Sequence, residues 1–157
     1  DETARLLGSL KRMQGELRRF SDAQMEMALR HEEGDIDHRM ASGEFHGAYG
    51  HMAEGVNTLV DSHLQVNYRL LALVNAYGRG DLSQDMERLP GKKAEITAAM
   101  DAVKAGMLEV NAEIKQLVDA AVAGDFSRRG DAGRFEFVYR EMIGTLNELM
   151  ASSDRGL

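Results

Sequence analysis

Cysteine and tryptophan are absent from the 157-residue sequence, and proline occurs once. Without cysteine, the chain can form no disulfide, no thiolate zinc site and no cysteine nucleophile. A single proline and 6% aromatic residues leave few helix breakers and few bulky groups for one deep core. These absences favour helices that pack along narrow apolar stripes.

The sequence also lacks a basic stripe and a long hydrophobic run. The formal net charge is −7, and the lysines and arginines are scattered, so we expect no nucleic-acid partner. No run of about 18 apolar residues occurs, so we expect no membrane insertion within this segment. The absence of cysteine fits a reducing compartment, and we expect a cytoplasmic segment of a longer protein.

A short pattern of glycine, aspartate, an apolar residue and then aspartate or serine occurs three times. The copies occupy residues 34–37, 80–83 and 124–127, which begin 46 and 44 residues apart. A recurrence at nearly constant spacing indicates a repeated structural unit. We therefore predict that the chain is built from three repeats.

The residues after the first and third copies match at a constant offset of 90, the total of the two spacings. The matched pairs are Phe45 and Phe135, Tyr49 and Tyr139, Met52 and Met142, Val56 and Leu146, Asn57 and Asn147, and Leu59 and Leu149.

Apolar residues between the copies alternate at spacings of four and three, which is the seam of a coiled coil. Each of the first three seams ends close to a glycine of the repeat, as helices often do. The pattern therefore predicts four helices joined by three connectors. The seams occupy residues 6–31, 45–77, 96–121 and 135–149.

The predicted connectors, at about 34–43, 78–92 and 124–134, are longer than the loops of antiparallel helical hairpins. Ten extended residues reach about 33 Å, enough to return along a helix and begin the next one parallel to it. One helix-connector-helix unit has too little apolar surface to be stable alone. We therefore expect an elongated homodimer, in which two copies complete parallel four-helix bundles.

Four segments carry a resemblance to a known family. Residues 31–37, 52–60 and 77–82, and then 89–94, resemble tandem HAMP domains of methyl-accepting chemotaxis proteins, in particular poly-HAMP arrays. The resemblance covers about residues 20–154. It implies that the two helices of each unit alternate between two packings and pass that difference along the chain.

We accordingly predict an all-α fold of three concatenated HAMP-like parallel four-helix bundles formed by a homodimer. An N-terminal helix and the first unit would occupy residues 1–62, the second unit 63–108 and the third 109–154. The predicted function is signal relay between an input and an output domain of a chemotaxis-type receptor. The predicted partners are a second copy and the adjacent sensor and kinase-control domains of the same receptor.

The candidate functional residues lie in the connectors. Their glycines would end the helices, and their apolar side chains would pack between the helices. These apolar residues are either plain anchors or anchors that also favour one packing state. The connector anchors are Gly34, Ile36, Met40, Gly80, Leu82, Met86, Leu89, Gly124 and Phe126.

His63 and the two histidines of residues 31–38 are further candidate functional residues. His63 occupies a seam position between Leu59 and Val66, where a polar residue usually fixes register and pairing. A pH-sensing role for this imidazole is the less favoured alternative. Residues 31–38 contain two histidines and four carboxylates, but adjacent side chains point to different helix faces. We therefore expect a solvated helix end there and no metal site.

No catalytic or cofactor-binding constellation is found, so we predict that the chain is not an enzyme and binds no cofactor. Residues 91–93 lack the spacing and hydroxyl of a phosphate-binding loop, and no serine lies in a nucleophile elbow. Two rival functions stay open, namely a ligand-sensing helical bundle of the receptor and a passive coiled-coil spacer. The repeated connectors count against the spacer.

Overall fold

The computed structural model describes residues 1–156, and these form α-helices, short 3-10 turns and connecting segments, with no β-strand among them. The predicted all-α fold is confirmed. The helices are α1 (Glu2–Glu32), α2 (Ala48–Gly78), α3 (Ala94–Val122) and α4 (Phe137–Gly156), and the 3-10 turns are Ser42–Glu44, Gly91–Lys93 and Ala132–Arg134.

Three connectors join the helices, each with a 3-10 turn near its end. Connector 1 is residues 33–47, connector 2 is 79–93 and connector 3 is 123–136. We call a helix pair with its connector a repeat, so that the first repeat joins α1 to α2, the second joins α2 to α3 and the third joins α3 to α4.

The seams predicted the positions of the helices well, but Phe45 and Phe135 were wrongly placed at the starts of helices. Both residues have extended backbones after a 3-10 turn, with ψ of 144° and 162°. The chain then turns at a residue with positive φ, Gly47 or Phe137, before or at the start of the helix. Their rings are nevertheless buried, because the extended connector places them against the preceding helix.

The chain divides into two compact units, Asp1–Leu71 and Ala72–Leu157. In the N-terminal unit, the ring of Phe20 on α1 packs against that of Tyr49 on α2 at 5.8 Å between centroids. Further along both helices, His31 and Val60 line one groove. Because residues later in α1 lie beside residues later in α2, the two helices run parallel. The buried core of this unit consists of Phe20, Met27, Met40, Phe45 and Ala53.

The C-terminal unit contains connectors 2 and 3. Tyr139 of α4 lies beside Gly106 of α3, and further along Ile143 lies near Leu117 where both approach Gly130. The helices α3 and α4 therefore also run parallel. One buried cluster of this unit consists of Val110, Phe135 and Ile143.

The predicted division at 1–62, 63–108 and 109–154 is not equivalent to the compact units and stays a prediction. Among the helices of residues 1–156, none is both long and apolar enough to cross a membrane.

Candidate functional site

Gly34, Gly80 and Gly124 each end a helix with the same hydrogen-bond pattern. The N–H of each glycine donates to the carbonyl three residues earlier, and the N–H of the next aspartate donates to the carbonyl five residues earlier. All three glycines have positive φ, between 81° and 98°. This is the Schellman arrangement, in which glycine avoids the steric cost of a left-handed backbone.

An aspartate after the glycine fixes the next turn in two of the three connectors. Asp81 accepts hydrogen bonds from the N–H and hydroxyl of Ser83 at 3.1 and 2.6 Å, and Asp125 accepts the same bonds from Ser127. These bonds favour the ionised carboxylates and lower the pKa of Asp81 and Asp125. Connector 1 has Asp37 at the serine position, so this turn cannot form there in the same way.

The predicted anchors differ in burial along each connector. Ile36, Leu82 and Phe126 occupy matching positions after the glycines and are half-buried, as is Leu89. Six residues after their glycines, Met40 and Met86 are buried, with 4% and 3% of their surface exposed. The matching position in connector 3 is Gly130, which is also buried but has no side chain. The switching role of the anchors stays a prediction.

An asparagine side chain holds the connector backbone in the first and third repeats. Asn57 Oδ1 accepts from the N–H of Met40 at 2.9 Å, and its Nδ2 donates to the Met40 carbonyl at 2.8 Å. Asn147 brackets Gly130 in the same way, at 2.6 and 2.9 Å. These asparagines were missed as site residues, although their match at an offset of 90 was the available signal.

Connector 2 is held by different groups. The Thr97 hydroxyl donates to the Glu87 carbonyl at 2.7 Å and accepts from the N–H of Leu89 at 3.2 Å. Tyr77 donates its hydroxyl to the Gln84 carbonyl at 2.7 Å, and burial raises the pKa of this phenol. Thus hydroxyl groups of α2 and α3 bind the connector backbone in the second repeat.

Two ion pairs also join connector 2 to α3. Arg88 binds Asp101 through two bonds of 2.7 Å, and Lys104 binds Asp85 at 2.9 Å. The hydrogen bonds that Arg88 donates lower the pKa of Asp101, and the hydrogen bond that Lys104 donates to Asp85 raises the pKa of Lys104. At least one partner of each pair is largely exposed, so solvent screening leaves each pair only a small contribution to stability.

His31 occupies the position in the first repeat that Tyr77 occupies in the second. Its Nε2 lies 2.8 Å from the carbonyl oxygen of His38, at the same sequence separation as Tyr77 and Gln84. His63, the predicted polar seam residue, is exposed in the single chain, and its role in pairing stays a prediction. Within residues 1–156, no cluster of His, Asp and Glu is arranged to hold a metal ion.

Comparisons with known proteins agree with this geometry. Residues 66–108, which include the end of α2, connector 2 and the first half of α3, match the family model described as HAMP N-terminal domain 3. Over 79 residues, half of the chain, the sequence is 43% identical to methyl-accepting chemotaxis protein McpB of Pseudomonas aeruginosa. The matched part covers 12% of that relative's length. Residues 66–108 therefore match a HAMP family model, and half of the chain is similar to part of a chemoreceptor.

Proposed function

We propose that the chain is a signal-relay segment of a chemotaxis-type receptor, which transmits conformational change from an input domain to an output domain by repacking of its helices. The family match and the similarity to McpB support this function. The adjacent domains would be a sensor and a kinase-control domain of the same receptor. We also propose a cytoplasmic location for the segment, since the absence of cysteine fits a reducing compartment.

The continuity of α3 is the observation that carries the relay mechanism. Its first half binds connector 2 through Thr97, Asp101 and Lys104. Its second half packs against connector 3 and α4 through Val110 and Leu117. Because no break interrupts Ala94–Val122, a rotation or tilt of the first half is passed to the second half.

The relay needs a second copy of the chain in this proposal. The side chains of Met52, Leu59, Met142 and Leu149 follow the predicted seams but are exposed in a single chain, by 39% to 62%. Neighbouring positions Ala53 and Ile143 are buried against the connectors instead. A second copy would cover the exposed seams and complete a four-helix bundle. We propose no catalytic role for any residue.

Insertions in α3 test the relay. One residue inserted between Gly106 and Met107 turns the second half of α3 by about 100° relative to the first, because the helix has 3.6 residues per turn. Seven inserted residues add two turns and nearly restore the phase. In the full-length receptor, we expect the single insertion to abolish or invert stimulus-dependent output and the seven-residue insertion to preserve most of it. Equal tolerance of both insertions would identify the segment as a passive spacer.

A further inference from the structure

Glu113 of α3 is a buried acidic side chain that faces connector 3. Within residues 1–156 it is the one charged residue in the buried class, with 9% of its surface exposed. Its Oε1 accepts a hydrogen bond from the N–H of Asp131 at 2.9 Å, and its Oε2 accepts one from Arg134 at 3.2 Å. A buried carboxylate is costly unless it is paired and hydrogen-bonded, and both conditions are met here.

The surroundings of Glu113 are tightly packed and largely apolar. A Cβ atom added to Gly130 would lie 2.7 Å from Ile143 Cγ2, 3.1 Å from Leu117 Cδ1 and 3.4 Å from Glu113 Oε1. Ile143 has no exposed surface. Close apolar walls exclude water and strengthen the hydrogen bonds to the carboxylate. They also raise the cost of leaving this carboxylate without its cationic partner.

The first repeat lacks this arrangement. At an offset of 90, Ala23 stands at the position of Glu113, Ala41 at that of Asp131 and Glu44 at that of Arg134. An arginine still lies over the matching phenylalanine ring in both repeats, Arg19 over Phe45 and Arg134 over Phe135.

The source of this arginine differs between the two repeats. Arg19 belongs to α1 and donates to the carbonyl of Glu44, whereas Arg134 belongs to connector 3 and pairs with a buried acid of α3. In the first repeat, the helix before the connector therefore supplies the arginine that lies over the phenylalanine ring. In the third repeat, that helix supplies the acid with which the arginine pairs.

We propose that Glu113 is a positioning residue that clamps connector 3 to α3 and thereby resists movement of that connector during repacking. Asn147 holds the connector from α4, and Glu113 holds it from α3, so connector 3 is fixed to both helices of its repeat. The effect on signalling rests on the proposed relay function, but the clamp itself lies within one chain.

Amide hydrogen exchange tests the clamp on the whole chain. We expect Glu113→Gln to raise the exchange rate of the Asp131 amide at least about tenfold, since the amide oxygen of glutamine is a weaker acceptor than a carboxylate oxygen and has no charge to pair with Arg134. Arg134→Gln should give a smaller increase, because half of the Arg134 side chain is exposed. In the Glu113→Gln background, Arg134→Gln should add almost nothing, because the two residues act as a pair.

Two controls accompany these measurements, a variant of an exposed acid on α3 and the amides of another connector. Glu109→Gln, which removes an exposed carboxylate one turn earlier on α3, should leave connector 3 unchanged, and the amides of connector 1 should exchange equally in all variants. Unchanged exchange at Asp131 in Glu113→Gln, or an equal increase in Glu109→Gln, would overturn the clamp. If Glu113→Gln loses helical circular dichroism, the Arg134→Gln comparison decides alone, and no increase there rejects the proposal. None of these measurements needs a stimulus. Failure of the clamp can therefore be distinguished from failure of the relay, which the insertions in α3 test.

Discussion

Phe137 is the one non-glycine residue among residues 1–156 with positive φ, at 47°. Its counterpart in the first repeat is Gly47, which has φ of 59°. A left-handed backbone costs a residue with a side chain about 1–2 kcal/mol. Because the Phe137 side chain is 89% exposed, little packing within the chain offsets this cost.

We expect Phe137→Gly to raise the free energy of unfolding by about 0.5–1 kcal/mol, since glycine removes the steric cost but gains entropy in the unfolded state. Urea denaturation, with an unchanged slope against urea, measures this difference. Gly47→Phe is the matched reverse substitution and should lower stability. Lower stability of Phe137→Gly would show that the exposed ring has a partner.

The hydrogen bonds between Ser83 and Asp81 make the stability of this turn dependent on pH. These bonds favour the ionised form of Asp81, whose pKa is therefore lower in the folded chain than in the unfolded chain. Stability from this turn is present above the unfolded pKa of about 3.9 and is lost as pH falls through the lowered folded value. Ser83→Ala should raise the pKa of Asp81 towards its ordinary value, as measured by NMR titration of the carboxyl carbon.

Ser127→Ala is the matched control for that titration. It should raise the pKa of Asp125 and leave that of Asp81 unchanged, because Asp125 receives the same two bonds from Ser127. Identical titration of Asp81 with and without Ser83 would contradict the assigned cause.

At the scale of helices and connectors, the sequence predicted what depends on local periodicity. The seams at residues 6–31 and 96–121 lie within α1 and α3, because heptad spacing reports the face that a helix buries. The glycines at the helix ends were found because a left-handed backbone favours this residue type.

Contacts across the chain were not predictable in the same way. Asn57 and Asn147 looked like ordinary repeated residues, since their bonds to the backbone of Met40 and Gly130 depend on how closely each connector approaches the helix. The partners of Glu113 likewise come from a connector that follows the same helix. A seam pattern reports which face of a helix is apolar and says nothing of which backbone groups pack against it.

The first and third repeats fill the space between connector and helix with large side chains from different elements. The first repeat combines Met40 in the connector with Ala53 in the helix, and both belong to one buried cluster. The third repeat has Gly130 and Ile143 at the matching positions. The large side chain therefore comes from the connector in one repeat and from the helix in the other, and both positions remain buried.

These matching positions predict that substitutions of Gly130 and Ile143 change the free energy of unfolding non-additively. Ile143→Ala should lower the free energy of unfolding by about 2–5 kcal/mol, because it leaves a cavity. Gly130→Met should lower it by about 1–3 kcal/mol or more, because the new side chain meets Ile143. The double variant recreates the pair of the first repeat and should lose less than the two changes added together, by about 0.5–3 kcal/mol.

Chemical denaturation of the four proteins in this cycle gives the coupling energy. A parallel cycle that combines Gly130→Met with Val122→Ala provides the control, because Val122 is 84% exposed and lies outside this cluster. Its changes should be additive. Additivity of the Gly130 and Ile143 changes would show that the two residues do not share one space.

At the scale of the whole molecule, the apolar seams of a single chain stay incompletely covered. Leu59 and Leu149, which match at the offset of 90, are 59% and 62% exposed, although each lies in a row of apolar residues. Burial of a leucine side chain contributes about 1.5–3 kcal/mol. Several such side chains exposed in a continuous row favour association of two chains over a free monomer.

We therefore expect a homodimer in solution, with about twice the 17.4 kDa mass of the chain in sedimentation equilibrium or light scattering. Leu149→Lys should raise the dissociation constant at least about tenfold, because two copies of the charge would enter the apolar seam. Val122→Lys is the matched control, since Val122 is more exposed than Leu149 but lies next to the seam residue Ala121 and outside the seam. A monomeric mass for the unmodified chain, or equal weakening by both lysines, would reject the seam as the surface that joins two copies.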